Sequence, residues 1–224
     1  MLMRTLSVIG LVLLMLLGAG IAWWASQTST YVHRFRLTIE AEADGLLRIG
    51  ASVIEVHTTD YKAGSAETVG LRSQVFGDAV FVDLGRGRHV VALLAFNPHA
   101  SREAIDLLDY KVFWAANRKL EIADLPTLTG RARLPDEFVP TLVTFADLND
   151  PKSAREVGFT EFESVFGPDV HFKGAWIEMT RDSATRDIEK RLPWIVQMKA
   201  NGLGGRIENH PGQFTINVPY FTRG

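Results

Sequence analysis

The chain has 224 residues, in which 24 lysines and arginines stand against 26 aspartates and glutamates, and it contains no cysteine. This slightly acidic composition argues against a nucleic-acid partner, because nucleic-acid binding requires a basic surface. The lack of cysteine excludes disulfide bonds, thiolate metal sites and cysteine nucleophiles.

The first distinctive segment is an apolar run that begins at Thr5 and ends at Ala25. It is 21 residues long and carries no charge. At ~1.5 Å per residue, a helix of that length spans the ~30 Å hydrocarbon core of a bilayer. Gly20 and Ala22 have the small-x-small spacing of a signal-peptide cleavage site, which is the alternative. Trp23 suits a membrane interface and continues the run, so we predict an uncleaved transmembrane signal anchor.

The anchor determines the expected topology and domain organisation. Because very little sequence precedes it, we expect its N-terminus in the cytoplasm and the rest of the chain in a bacterial periplasm, as a single-pass inner-membrane protein. Residues 26–30 (SQTST) are typical of a short flexible stalk. Residues 31–224 are expected to form one domain, with residues 195–224 as a candidate added C-terminal hairpin.

The clearest predicted structure is a β-hairpin directly after the stalk. Apolar residues alternate with polar ones from residue 34 onward, which is the period of a half-buried strand. Asp44-Gly45 is a strong hairpin-turn signal, and residues 46–57 form the return strand. A two-residue turn places Arg34 opposite Glu55 as a cross-strand ion pair.

The same register predicts what covers the hairpin. Large residues of the first strand face small ones of the second, with Ile39 opposite Gly50 and Leu37 opposite Ser52. Something bulky can therefore lie over the small residues. A helix that begins with Ser101 as its N-cap and Glu103 in its first turn is the best candidate.

The remaining segments complete an α+β prediction. Residues 58–74 are typical of a long surface loop, and residues 79–84 and 90–96 of two central strands covered on both faces. Further strands are predicted at 141–146, 171–180 and 213–218, and short helices at 160–166 and 185–192. This order favours a mostly antiparallel sheet with helices packed on one face.

Three segments resemble a family of uncharacterised proteobacterial proteins with a hydrophobic N-terminus. They are residues 50–56 (GASVIEV), 77–85 (GDAVFVDLG) and 188–194 (IEKRLPW). The resemblance covers roughly residues 31–194. It implies no particular activity, cofactor or site residue.

Candidate catalytic and metal-binding residues are few. None of the 6 histidines has H-x-H, H-x-x-x-H or H-E-x-x-H spacing, so we predict no metal site and no cofactor. A hydrolase triad would need Ser52, a histidine such as His57 or His89, and an aspartate such as Asp60 or Asp83. The G-x-S-x-G motif is absent, and Ser52 suits a packing residue inside a strand.

Asp83 is the one carboxylate within an otherwise apolar predicted strand. A buried carboxylate with a raised pKa would suit a general base. A carboxylate at the end of a strand can instead cap the following Gly85–Gly87 turn through its side chain. The position favours the cap.

These observations favour binding over catalysis. We expect a membrane-tethered extracytoplasmic binding or assembly module whose partner is a membrane or envelope protein. Arg34 and Arg36 are the candidate binding residues, because they begin the first strand close to the membrane. The alternatives are a periplasmic hydrolase with an unrecognised site and a purely structural envelope protein. A pocket with clustered titratable residues would favour the hydrolase, and exposed apolar residues would favour the binding module.

Overall fold

The computed structural model describes residues 15–16, 18, 28–62, 69–96, 103–200, 206–207 and 216–224. Most of the predicted anchor, residues 5–25, lies outside these ranges. Among the described residues, no helix is long and apolar enough to cross a membrane. The fold is α+β, with mostly antiparallel sheets and few helices, as predicted.

The regular elements are short apart from the first two strands. The strands are β1 (Thr28–Ala43), β2 (Leu46–Tyr61), β3 (Gly70–Asp78), β4 (Val80–Gly85), β5 (Arg88–Ala92), β6 (Ala95–Phe96), β7 (Glu103–Ala104), β8 (Arg131–Arg133), β9 (Leu142–Phe145), β10 (Ala154–Glu156), β11 (Val170–Met179), β12 (Arg206–Ile207), β13 (Ile216–Asn217) and β14 (Thr222–Arg223). The α-helices that follow the first hairpin in the described part of the chain are α1 (Leu108–Ala116), α2 (Phe162–Phe166) and α3 (Trp194–Ala200).

The two main sheets have different sizes. The larger sheet has six strands in the order β14-β3-β2-β1-β11-β8, and the smaller sheet has four in the order β10-β9-β5-β4. Two further pairs, β6 with β7 and β12 with β13, are antiparallel ladders of two residues each. The second of these pairs lies within the predicted C-terminal hairpin.

The chain divides into two compact units. One comprises Met1–Tyr31 with His57–Ser73, and the other Val32–Val56 with Gln74–Gly224. In the first unit hydroxyl groups meet across strands, with Thr30 Oγ1 3.0 Å from Thr59 Oγ1. The second unit contains both hydrophobic cores.

The β1–β2 hairpin forms as the sequence predicts. Asp44 and Gly45 occupy the turn with φ of 53° and 72°, the left-handed conformation that the tightest hairpin turns require. Apolar residues of β1 are buried at every second position, and Arg34 Nε lies 2.5 Å from Glu55 Oε2. The predicted register is therefore confirmed.

The small residues of β2 are covered by a strand and not by the predicted helix. A Cβ atom built on Gly50 would lie 2.3 Å from the Phe81 carbonyl oxygen, so the backbone of β4 packs directly on β2 at this point. Ser52 Oγ donates a hydrogen bond of 2.6 Å to the Asp78 carbonyl oxygen, just before β4 begins. Small side chains permit this close approach of two backbones.

Two hydrophobic clusters lie on opposite faces of the smaller sheet. The first core joins Leu37 and Ile39 of the larger sheet to Val90 of β5 and Leu108 of α1. The second core joins β5 to α3 and the C-terminal segment; its members include Val91, Phe145, Trp194, Ile195 and Phe221. The prediction that the central strands are covered on both faces is confirmed. The helices are divided between the two cores, so the predicted single helical layer is wrong.

Three boundaries also differ from the sequence prediction. Residues 58–61 and 70–74, predicted as loop, extend β2 and β3. Glu103, predicted in a helical first turn, lies in β7 and pairs with Phe96 of β6. The predicted N-cap Ser101 lies outside the described residues. Residues 28–30 of the predicted stalk belong to β1. By contrast, α2 ends at Gly167 with a φ of 110°, as predicted.

Candidate functional site

The predicted binding arginines lie on the outer face of the larger sheet, which we define as the face opposite the first core. The side chains of Arg34 and Arg36 are 35% and 33% exposed. Arg34 pairs with Glu55, and Arg36 pairs with both Glu178, at 3.2 Å, and Asp182. Both guanidinium groups are thus held by neighbouring carboxylates.

The ion pairs continue along the outer face. Arg131 Nη2 lies 3.2 Å from Glu40 Oε1, and Lys173 Nζ lies 3.0 Å from Glu42 Oε2. The Arg131 guanidinium also stacks 4.6 Å from the ring centroid of Trp176. Exposed pairs of this kind contribute little to stability, typically about 0–1 kcal/mol each. Their effect is to give this face a fixed pattern of alternating charge.

Exposed apolar side chains lie at the turn end of the same hairpin. Leu46, Leu47 and Ile49 are 57%, 58% and 56% exposed. Alternation along β2 places Leu47 and Ile49 on the outer face, beside the row of ion pairs. Neighbouring exposed apolar residues rimmed by charge are typical of a surface that contacts another molecule.

A cavity of about 360 Å³ opens at one end of the first core. It is lined by Gly87, Arg88, Thr144, Phe145, Ala146, Ser153, Arg155, Val165 and Phe166. The lining includes two arginines but no carboxylate and no histidine. A pair of groups suited to general acid–base catalysis is therefore missing from this lining.

The other residues considered for a catalytic triad make structural contacts. Asp83 is exposed and its Oδ1 accepts a hydrogen bond of 2.8 Å from the Gly85 N–H, so it caps the turn as predicted. The Ser52 hydroxyl is committed to the Asp78 carbonyl. Among the described residues, no group of three or more histidine, aspartate or glutamate side chains is placed to hold a metal ion.

His89 is buried between two aromatic rings and its side chain accepts a backbone hydrogen bond. Its ring stacks on Phe81 and Phe145, with centroids 5.5 and 6.3 Å away. Nε2 accepts a hydrogen bond of 3.3 Å from the Phe145 N–H, and Nδ1 lies 3.3 Å from the Gly87 carbonyl oxygen. Burial lowers the pKa of His89 below its usual value of 6.5, which favours the neutral ring.

The sequence reasoning missed a buried histidine–aspartate pair. His33 Nε2 on β1 lies 2.9 Å from Asp109 Oδ2 on α1, and both side chains are 0% exposed. Asp109 Oδ1 accepts a hydrogen bond of 2.8 Å from the Tyr110 N–H. The two atoms are close but not aligned as a hydrogen bond, so the pair is a short electrostatic contact between α1 and the sheet that solvent does not reach. The period-two burial of β1 begins at His33, and extending the pattern back from Phe35 would have found it.

The arginines of the cavity were also missed. Arg88 lies in the G-R-G-R segment between two predicted strands, which carries no motif. Arg155 follows a polar turn and has the sequence context of an ordinary solvated strand residue. Only the pairing of strands distant in sequence brings the two together.

Comparison with known proteins adds no relative: no protein-family model, no curated protein and no solved structure matches the chain.

Proposed function

We propose that this protein is a membrane-tethered extracytoplasmic module that binds another membrane or envelope protein. One observation carries the proposal. The outer face of the β1–β2 hairpin combines a fixed row of charged side chains with Leu47 and Ile49, each more than half exposed. An apolar centre beside oriented polar groups is the usual composition of a protein-binding surface.

The charge pattern favours a protein partner over lipid head groups. Arg34 and Arg36 are paired with carboxylates of the same face, so the face has no uncompensated positive field to attract anionic lipids. Alternating fixed charges instead give specificity and orientation against a complementary protein surface. The predicted anchor at residues 5–25 would raise the effective concentration of a partner in the same membrane.

The titratable side chains that could serve in hydrolysis make structural contacts instead, which supports binding over hydrolysis. Asp83 caps a turn, His89 accepts a backbone hydrogen bond, and Asp109 pairs with a histidine away from solvent. None of these three groups lines the arginine-containing cavity. A hydrolase needs a nucleophile and a base in mutual hydrogen-bond reach beside substrate.

The apolar part of the surface is tested with the full-length protein in mild detergent. Leu47→Ser with Ile49→Ser should reduce the amount of a stoichiometric membrane-protein partner that co-purifies. These side chains are already exposed, so the stability should change by less than about 0.5 kcal/mol. Val196→Ser on α3, which is 50% exposed, is the matched control and should leave the partner bound.

The charged part is tested by exchanging the members of an ion pair. Arg34→Glu with Glu55→Arg keeps the pair but reverses its polarity, and should weaken co-purification. The same exchange at Lys199 and Glu189, an exposed pair 2.7 Å apart on another surface, should not. If the wild-type protein purifies alone, or turns over a generic ester, phosphate or peptide substrate, the proposal is wrong.

The membrane topology is a separate prediction. Alkaline phosphatase fused after Gly224 should be active, and green fluorescent protein at the same position should be dark, because the domain lies in the periplasm. Full-length protein should stay with membranes after a carbonate wash and retain its N-terminal peptide in mass spectrometry. A mature N-terminus at Trp23 would show that the apolar run is a cleaved signal peptide.

A further inference from the structure

The cavity beside the first core places charged and apolar groups in a defined arrangement. Arg155 of β10 lies directly opposite Thr144 of β9, so their side chains share one face of the smaller sheet. Val143 pairs with Val91 of β5, which places Thr144 opposite Val90, a member of the first core. Arg88 lies two residues before Val90 and projects from the same face.

One of the two arginines is fixed in place. Arg88 donates from Nε to the Gly85 carbonyl at 3.2 Å and from Nη1 to the Phe166 carbonyl at 3.1 Å. Its Nη2 donates to Asp44 Oδ2 at 2.7 Å. These three hydrogen bonds hold the Arg88 guanidinium group in one position. Its charge is balanced by Asp44, which does not line the cavity.

The other arginine carries the uncompensated charge. Arg155 is exposed and, within the ranges that the structure describes, forms no ion pair. The cavity lining contains no aspartate or glutamate that would neutralise it. An anion entering the cavity would thus meet one free guanidinium group and the edge of a second, which is the arrangement that favours a carboxylate or phosphate oxygen.

Apart from the hydroxyl groups of Thr144 and Ser153, the rest of the lining is apolar or glycine. Val165 and Phe166 of α2 form one wall and pack against the first core. The volume of about 360 Å³ is within the range of ~300–1,000 Å³ that small-molecule sites occupy. The hydroxyl of Thr144 donates to the His89 carbonyl at 2.8 Å, so it is not available as a donor to a ligand.

We infer that this cavity binds a small organic anion, with its carboxylate or phosphate group at Arg155 and Arg88 and its apolar body against Val165 and Phe166. The site is separate from the outer face of the hairpin, and it involves neither Arg34 nor Arg36. If the cavity binds no anion, the proposed partner-binding surface is unaffected. If the hairpin surface binds no partner, the inference about the cavity is likewise unaffected.

Phenyl phosphate is a suitable probe, since it joins a dianion to one aromatic ring. Titrated into the full-length protein in mild detergent, it should bind with a Kd of about 1 mM or tighter by calorimetry. It should also shift the amide resonances of residues 144–146 and 153–155. Benzoate, which carries a carboxylate on the same aromatic ring, should also bind. Inorganic phosphate should bind more weakly for lack of an apolar body, and neutral benzyl alcohol more weakly for lack of charge.

The decisive variant is Arg155→Gln, an exposed position where folding is not at risk. It should weaken phenyl phosphate binding about tenfold or more, the effect of one charge-assisted hydrogen-bonded pair. Lys152→Gln is the matched control, since it removes the same charge from the adjacent turn without lining the cavity, and should change the Kd less than about twofold. No binding of phenyl phosphate by the wild-type protein, or equal weakening in both variants, would overturn the inference.

Discussion

Removing the Asp109 carboxylate should destabilise the protein severely. His33 Nε2 and Asp109 Oδ2 are 2.9 Å apart and both side chains are 0% exposed, so water cannot replace the lost partner. Breaking a buried pair of this kind costs about 3–5 kcal/mol, because a polar group remains buried and uncompensated. That is a large share of the ~5–15 kcal/mol that separates most folded proteins from the unfolded chain. Asp109→Ala should therefore leave the fold marginal.

A double-mutant cycle separates the pair from simple loss of packing. His33→Leu should cost a similar amount, since it leaves the carboxylate buried alone. The double variant with Asp109→Ala removes both polar groups and nearly conserves their summed volume, as leucine is larger than histidine and alanine smaller than aspartate. Its loss should fall short of the sum of the single losses by about 2 kcal/mol.

Urea unfolding of the full-length protein in mild detergent, followed by circular dichroism, measures each step. With a slope of about 1–3 kcal/mol per molar urea, the single variants should unfold at midpoints at least about 1 M lower. Asp109→Asn, which keeps an acceptor for the Tyr110 N–H, should lose less. A coupling energy below about 0.5 kcal/mol would show that the two side chains are neighbours without mutual dependence, and would refute the reasoning.

Three further predictions concern stability. Because burial lowers the pKa of His89 below 6.5, the unfolded state binds more protons than the folded state in acid. The stability of the wild-type protein should therefore fall as the pH drops below about 6.5. His89→Gln should lack this pH-dependent loss of stability when urea unfolding midpoints are compared. Gly50→Ala should cost about 1–3 kcal/mol or more, since its Cβ would lie 2.3 Å from the backbone oxygen of Phe81; an unchanged melting temperature would contradict this. Asp78 is 2% exposed and its Oδ2 accepts two backbone N–H groups, at 2.5 and 2.9 Å, where the Ile188–Lys190 turn begins. Asp78→Ala should therefore lower the unfolding free energy by about 2–3 kcal/mol and expose that turn to hydrogen exchange.

Local signals predicted those parts of the fold that local physics determines. The alternation along β1 and the Asp44-Gly45 turn define the hairpin and its register, because a one-residue slip would expose every buried side chain. The turn-capping role of Asp83 was also predictable, since donor and acceptor are only two residues apart.

Features that depend on distant pairing were not predictable. β1 pairs with β11, so Arg36 lies opposite Glu178, and nothing in the local pattern of either strand specifies that partner. The polar residues of 58–61 were predicted as loop because their composition is that of a turn, yet they extend β2. The arginine-lined cavity depends on three strands and a helix at once, so no local pattern predicts it.

The C-terminal residues have a consequence for how the protein acquires its structure. Phe221 belongs to the second core, and its carbonyl accepts a hydrogen bond of 2.8 Å from the Ala79 N–H, while the Tyr220 carbonyl accepts one of 2.7 Å from the Leu94 N–H. These contacts join residues more than a hundred positions apart, and such contacts slow folding because long loops must close first. During synthesis, the β1–β2 hairpin can form early, but one face of the smaller sheet is not fully covered until residue 221 is available. Before that moment Val91 and Phe145 lack part of their apolar cover, and incompletely covered apolar surface of this kind favours aggregation of a folding chain.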